Sequence, residues 1–109
     1  MAAPGNRIGK KEKNEDFYKA ILLLKDEEEC YSFFRDVCTI AELRAMEQRF
    51  EVARMLTQGK VYSEIRRETG ASSATVSRVN RMLNYGTGSV AESVREDLAA
   101  QGIPADAEK

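Results

Sequence analysis

Side chains between positions 72 and 81 have the chemistry needed to bind base edges and phosphates. Ala74 lies within this run, and its methyl group can contact the methyl group of thymine. Small hydroxyl side chains surround it and two arginines follow: the polar residues are Ser72, Ser73, Thr75, Ser77, Arg78 and Arg81. A helix with such a slim, hydrogen-bonding leading face can enter the major groove of double-stranded DNA. The arginines are expected to meet phosphates or purine edges. For Arg78, a tie to Glu51 or another acid of the longest predicted helix is the alternative.

The residues around this run predict a helix-turn-helix over 62–83. Ile65 faces inward from a short amphipathic segment that ends at Gly70, where glycine can supply the positive φ of a tight turn. The following segment has apolar residues at i, i+3 and i+7, namely Val76, Val79 and Leu83. An ordinary helical hairpin with a Ser/Thr N-cap is the alternative interpretation, because helix-turn-helix patterns are loose.

The distribution of charge favours nucleic acid as the partner of this segment. The net charge is only −1, yet residues 44–85 carry eight basic and four acidic side chains, whereas residues 12–43 carry four basic and nine acidic ones. Residues 1–11 add three further basic side chains. Arg66 and Arg67 lie on the first helix of the motif, where they are predicted to contact phosphates.

Composition argues against several other classes of function. The 109 residues contain no histidine, which removes the commonest general base and metal ligand, and no nucleophile is paired with a base. Cys30 and Cys38 fit no zinc spacing, and both are predicted to be buried, reduced thiols. We therefore expect no enzyme activity, metal or obligatory cofactor. The apolar run at 21–24 is too short to span a membrane, and no signal peptide is evident, so a cytoplasmic location is expected.

Helix start and stop signals predict six helices, no strand and one helical domain. The domain is expected at residues 14–102, between a flexible N-terminal tail at 1–13 and a C-terminal tail at 103–109. Asn14 is a predicted N-cap, and capping boxes are predicted at 39–42 and 89–92. The helix opened by the first box is expected to reach about Gln58, with Gly59 as its stop. Its apolar residues cover most of its surface, which indicates a place in the core or against a second subunit.

The ordered set of residues resembles the tryptophan repressor family, in a subgroup of bacterial repressor-like proteins. The resemblance covers about four-fifths of the chain, from about Glu15 to Gln101. It rests on Thr39, Glu42, Arg44, Ala45, Arg49 and Gly59, followed by Glu68, Gly70, Ala71, Ala74, Thr75 and Arg78. It implies an all-α fold with six helices, in which two chains interlock as a homodimer and present two helix-turn-helix units to DNA.

The resemblance also marks a possible effector site. In the family, two arginines that match Arg49 and Arg78 hold the carboxylate of tryptophan, and Thr39 matches a pocket residue. The family has a glycine where this chain has Val79 and a serine where it has Met82, and the loop between Gly59 and Ser63 is one residue shorter. Val79 is predicted to fill the space of the indole ring. We therefore expect regulation that does not depend on tryptophan, with another small effector as the alternative.

Three hypotheses about function follow from these features. The first is a homodimeric, sequence-specific DNA-binding regulator, expected to be a repressor. The second is a helical protein-interaction module that keeps the helix-turn-helix scaffold without reading DNA, which the mild overall acidity leaves open. The third, an enzyme, has almost no support in the sequence. Retention on duplex DNA at low salt distinguishes the first two.

Overall fold

Helices account for all the regular structure in residues 13–103, the part of the chain that the computed structural model describes. The six helices are α1 (Glu15–Leu22), α2 (Glu27–Val37), α3 (Ile40–Thr57), α4 (Tyr62–Thr69), α5 (Ser73–Tyr85) and α6 (Ser89–Ala100). The predicted all-α class and helix count are confirmed. Apart from Lys13 and Ile103, the predicted tails lie outside the described residues. The chain divides into two compact units, one ending at Thr39 and the other beginning at Ile40.

The first unit contains α1 and α2, and side-chain caps begin both helices. The Asn14 side chain accepts a hydrogen bond from the Phe17 backbone N–H (3.1 Å), as predicted. Asp26 accepts in the same way from Glu29 (2.9 Å), so the acidic run at 26–29 is a helix start. Neither helix contains a buried residue.

The second unit packs α3 to α6 around a small apolar core. Val52, Ala53 and Met55 supply its centre from the C-terminal half of α3. The other buried residues of this core are Ile65, Ala71, Val76, Val79, Val94 and Leu98. Of the two places that the sequence allowed for α3, the core or a contact with a second subunit, its C-terminal half occupies the first. Ile40 and Met46 in its N-terminal half, and Phe50 just past its midpoint, remain 37–49% exposed.

A polar contact joins α3 to α6 at the edge of this core. Arg54 Nε donates to Asp97 Oδ2 (2.8 Å), and Arg54 Nη1 lies 3.3 Å from Glu51 Oε1. The hydrogen bond to Asp97 is the main reason that the pKa of Arg54 is raised. The Arg54 side chain is only 18% exposed, so the contact fixes the relative position of the two helices.

Two local predictions are wrong. Residues 89–92 form no capping box, because α6 begins at Ser89 itself with Gly88 as its N-cap, and the Ser89 N–H donates to the Thr87 hydroxyl (3.3 Å). The cysteines are not both buried: Cys30 is exposed and Cys38 is half-buried, although both are free thiols. Cys30 lies on α2, whose residues have no core to enter within the first unit.

The predicted end of α3 is correct. Gly59 has a φ of +83°, a conformation that side chains with a Cβ disfavour. Its N–H donates to the Leu56 carbonyl (2.9 Å), and the N–H of Lys60 donates to the Met55 carbonyl (3.1 Å). This pair of bonds is a Schellman motif, which ends the helix and turns the chain toward α4.

No helix in residues 13–103 combines the length and apolar character that crossing a membrane requires.

Candidate nucleic-acid interface

A helix, a three-residue turn and a second helix occupy the span predicted for the helix-turn-helix. Gly70 ends α4 with a φ of +76°, and its N–H donates to the Arg66 carbonyl (2.9 Å). The Thr69 hydroxyl accepts from the Ala71 N–H (3.1 Å) and donates to the Ile65 carbonyl (2.7 Å). The turn is therefore held by hydrogen bonds on both sides of the glycine.

A side chain of α3 ties this turn to the rest of the unit. Gln48 Nε2 donates to the Thr69 carbonyl (3.1 Å), which lies at the end of α4. Nothing in the sequence singled out Gln48, because its partner is 21 positions away and is a backbone oxygen. The contact satisfies one of the carbonyls that a helix end leaves without a partner in its own helix.

The inward face of α5 is apolar and fully packed. Val76 and Val79 are at most 1% exposed, and they share the core with Ile65 of α4. Leu83 is half-buried and packs against the same core. These are the residues that the helical spacing predicted to face inward. Their burial holds the opposite face of α5 toward solvent.

Ser72 and Thr75 cooperate at the start of α5. The Ser72 hydroxyl oxygen accepts from the Thr75 backbone N–H (3.1 Å) and lies 3.1 Å from the Thr75 hydroxyl. Ser72 is thus the N-cap of the helix. Both residues were predicted to face base edges, and in the free chain their hydroxyl groups are engaged with each other.

The remaining predicted contact residues of α5 share one exposed surface. We call this surface the outer face of α5; it consists of Ser73, Ala74, Ser77, Arg78, Arg81 and Tyr85. At 100° per residue these positions fall within about 140° of the helix circumference, opposite Val76 and Val79. The structure therefore presents small hydroxyl groups near the N-terminus of α5 and guanidinium groups further along.

The arginines predicted to contact DNA are all exposed. Arg66 and Arg67 lie on α4, where Arg67 Nη2 is 4.0 Å from the neighbouring Glu68 carboxylate. Arg78 had a second predicted role, a tie to Glu51 of α3, but Glu51 is paired with Arg54 instead. Exposure leaves these guanidinium groups sterically accessible to a phosphate.

Tyr85 was not predicted as part of the interface. The Arg81 guanidinium carbon lies 5.8 Å from the centre of its ring, at the C-terminal end of α5. The signal available in the sequence was the spacing of four between the two residues, which places them on the same helix face.

The residues of the possible effector site belong to different elements of the chain. Arg49 and Arg78 are exposed on α3 and α5, and Thr39 belongs to the first unit. The cleft of about 600 Å³ beside α5 contains neither arginine, being lined by Leu56, Gly59, Lys60, Val61, Tyr62, Asn80 and Asn84. Val79 lies inside the core rather than at the surface. Within residues 13–103, acidic and cysteine side chains form no cluster suited to a metal ion.

Comparison with known proteins agrees with this architecture. Residues 12–98 match the family described as Trp repressor protein. The chain is 58% identical to the uncharacterized protein YerC of Bacillus subtilis (strain 168) over 72 residues. This match covers 66% of this chain and 69% of YerC.

Two solved structures are similar in both fold and sequence. A TrpR-like protein from Eubacterium eligens ATCC 27750 superposes with a TM-score of 0.76 at 50% identity, covering 84% of this chain and 96% of that one. A protein from Staphylococcus aureus, described as a proposed Trp repressor, has a TM-score of 0.75 at 36% identity, covering 97% of this chain and 100% of that one.

Proposed function

The chain belongs to the Trp repressor protein family, and from this membership we propose that it is a homodimeric, sequence-specific DNA-binding regulator of transcription. It acts as a repressor, and its binding to DNA does not require tryptophan. The observation that carries the proposal is the outer face of α5, which is polar and cationic on a helix whose opposite face is locked into the core. Such a regulator works in the cytoplasm, where bacterial DNA is found.

Two kinds of side chain have different roles in the proposed binding: small residues contact base edges, and arginines contact phosphates. Ser73, Ala74 and Ser77 are small enough to let the helix approach base edges and can distinguish those edges by hydrogen bonds and methyl contacts. Arg78 and Arg81, with Arg66 and Arg67 of α4, neutralise phosphates. This division predicts separate effects on sequence preference and on overall affinity.

Tryptophan independence is supported by the packing of α5. Val79 fills a position in the core where the family has the glycine that makes room for the indole ring. Met82 also packs against this core. Admitting an indole ring here would require moving packed side chains, which is costly in a densely packed interior.

The homodimer is supported by apolar surface that a single chain leaves exposed. In α3 these residues are Ile40, Met46 and Phe50; in the first unit, Leu22, Leu23 and Val37 are 54–82% exposed. Large exposed apolar surface commonly marks a protein interface. A two-fold dimer also places two helix-turn-helix units on DNA, which matches a site with two half-sites.

Binding to random duplex DNA at several salt concentrations tests the DNA-binding role. We expect Arg81→Ala to lower affinity at every salt concentration and to reduce the slope of log affinity against log salt by about 0.9. Arg95→Ala is the matched control, since Arg95 is an exposed arginine on α6 and the charge change is identical. Absence of any retention of the wild-type protein at low salt would favour the interaction-module hypothesis.

Selection of bound sites from a random duplex library tests sequence specificity. Ser77→Ala should weaken binding to the selected site by about 1–3 kcal/mol and relax the preference at one or two base pairs. Ser93→Ala on α6 also removes the hydroxyl group of an exposed serine and should change neither. Recovery of no enriched sequence from the wild-type protein would contradict sequence-specific recognition.

A further inference from the structure

The aromatic side chain of Tyr85 is largely exposed to solvent. It is 80% exposed at the last position of α5, so burial in the core does not account for its orientation. Its ring is covered in part by one cation, the guanidinium of Arg81, whose carbon lies 5.8 Å from the ring centre. This distance is within the range of attractive cation–π contacts.

The pair lies on the surface that the proposed function assigns to DNA. Arg81 and Tyr85 are four residues apart on the outer face of α5, about 6 Å along the helix axis. An exposed arginine side chain samples many rotamers and must lose that freedom when it binds a phosphate. A ring that already holds the guanidinium reduces this loss, because the side chain is partly ordered before DNA arrives.

We propose that Tyr85 is a positioning residue for DNA binding: its ring keeps the Arg81 guanidinium on the outer face of α5, in place for a phosphate. The inference rests on the proposed DNA-binding function and adds a residue to it. It requires the aromatic ring of Tyr85 and does not require the hydroxyl group.

A double-mutant cycle with duplex DNA at low salt tests this role. Tyr85→Leu should lower affinity by about two- to fivefold, the size of an exposed cation–π contact. Tyr85→Phe keeps the ring and should bind like the wild type. In an Arg81→Ala background, Tyr85→Leu should have no further effect, because the group that the ring positions is already absent.

Two measurements on the free protein separate positioning from a general structural effect. The melting temperature should be the same for the wild type, Tyr85→Leu and Tyr85→Phe, since the ring is outside the core. The side-chain protons of Arg81 should show a ring-current shift in NMR spectra of the wild type and Tyr85→Phe, and this shift should vanish in Tyr85→Leu.

Several outcomes overturn the proposal, and they separate it from the proposed function. If Arg81→Ala weakens DNA binding and Tyr85→Leu does not, DNA binding stands and the positioning role fails. If Tyr85→Leu costs the same affinity with and without Arg81, the ring contacts DNA by itself and positions nothing. If the wild-type protein does not bind DNA, both the proposed function and this role fail.

Discussion

Val79 is the side chain on which the proposed independence from tryptophan depends most directly. It is 1% exposed and shares the core with Ile65 and Val76, so it contributes both to stability and to the closure of the space beside α5. A glycine at this position would leave that space open. The packing of Val79 therefore links stability to the proposed independence from tryptophan.

Adding millimolar L-tryptophan should leave the melting temperature unchanged, because a ligand stabilises a protein only if it binds the folded state preferentially. Val79→Ala should lower the free energy of unfolding by about 2 kcal/mol through lost burial and a small cavity. Val61→Ala is the matched control, as Val61 is 62% exposed. An upward shift of the melting temperature with tryptophan would mean that the packing around Val79 admits the ligand.

The turn of the helix-turn-helix is defined by backbone geometry as well as by packing. Gly70 has a positive φ, and an added Cβ would meet no atom within 4 Å. Any cost of substitution at Gly70 is therefore conformational rather than steric. The hydrogen bond from Gln48 to the Thr69 carbonyl fixes the same turn from outside.

Gly70→Ala should destabilise the protein by about 1–2 kcal/mol, the cost of a left-handed conformation for a residue with a Cβ. Gly70→Asn should lose less, because asparagine tolerates this region better than alanine. Urea denaturation of the three proteins measures the difference. Equal stability of Gly70→Ala and the wild type would show that the turn does not require glycine.

Many large apolar side chains in residues 13–103 remain exposed to solvent. In α1 and α2 no residue is buried, and α3 presents Met46, in its N-terminal half, and Phe50, just past its midpoint, to solvent. The core of the second unit draws on the other half of α3 and on α4 to α6. A second copy of the chain is the partner that we expect to cover the remaining apolar surface.

Sedimentation at micromolar concentration should give about twice the monomer mass of 12.2 kDa. Phe50→Glu should shift the protein toward monomer, because placing a carboxylate in an apolar interface costs about 2–4 kcal/mol. Val61→Glu makes the same kind of change at an exposed valine outside this surface and should leave the mass unchanged. A well-folded wild-type monomer would refute the homodimer.

Much of the fold could be predicted because the signals are local. Asn14 caps α1 and Gly59 stops α3 through contacts within a few residues of the helix ends. The inward residues of α5 follow from the helical period alone. The signal for the capping box predicted at 89–92 is also local, but that prediction is wrong. Ser89 is a residue type that suits an N-cap, yet it is the first residue of α6.

The sequence by itself determined the six helices, the helix-turn-helix and the family, because periodicity, caps and ordered motifs are properties of the chain. Tertiary structure decided which polar groups are engaged and which are free. It placed Gln48 against the turn, paired Glu51 with Arg54 instead of Arg78, and set Arg81 against Tyr85. Long side chains such as these can reach several partners, and only the packed arrangement of helices selects one.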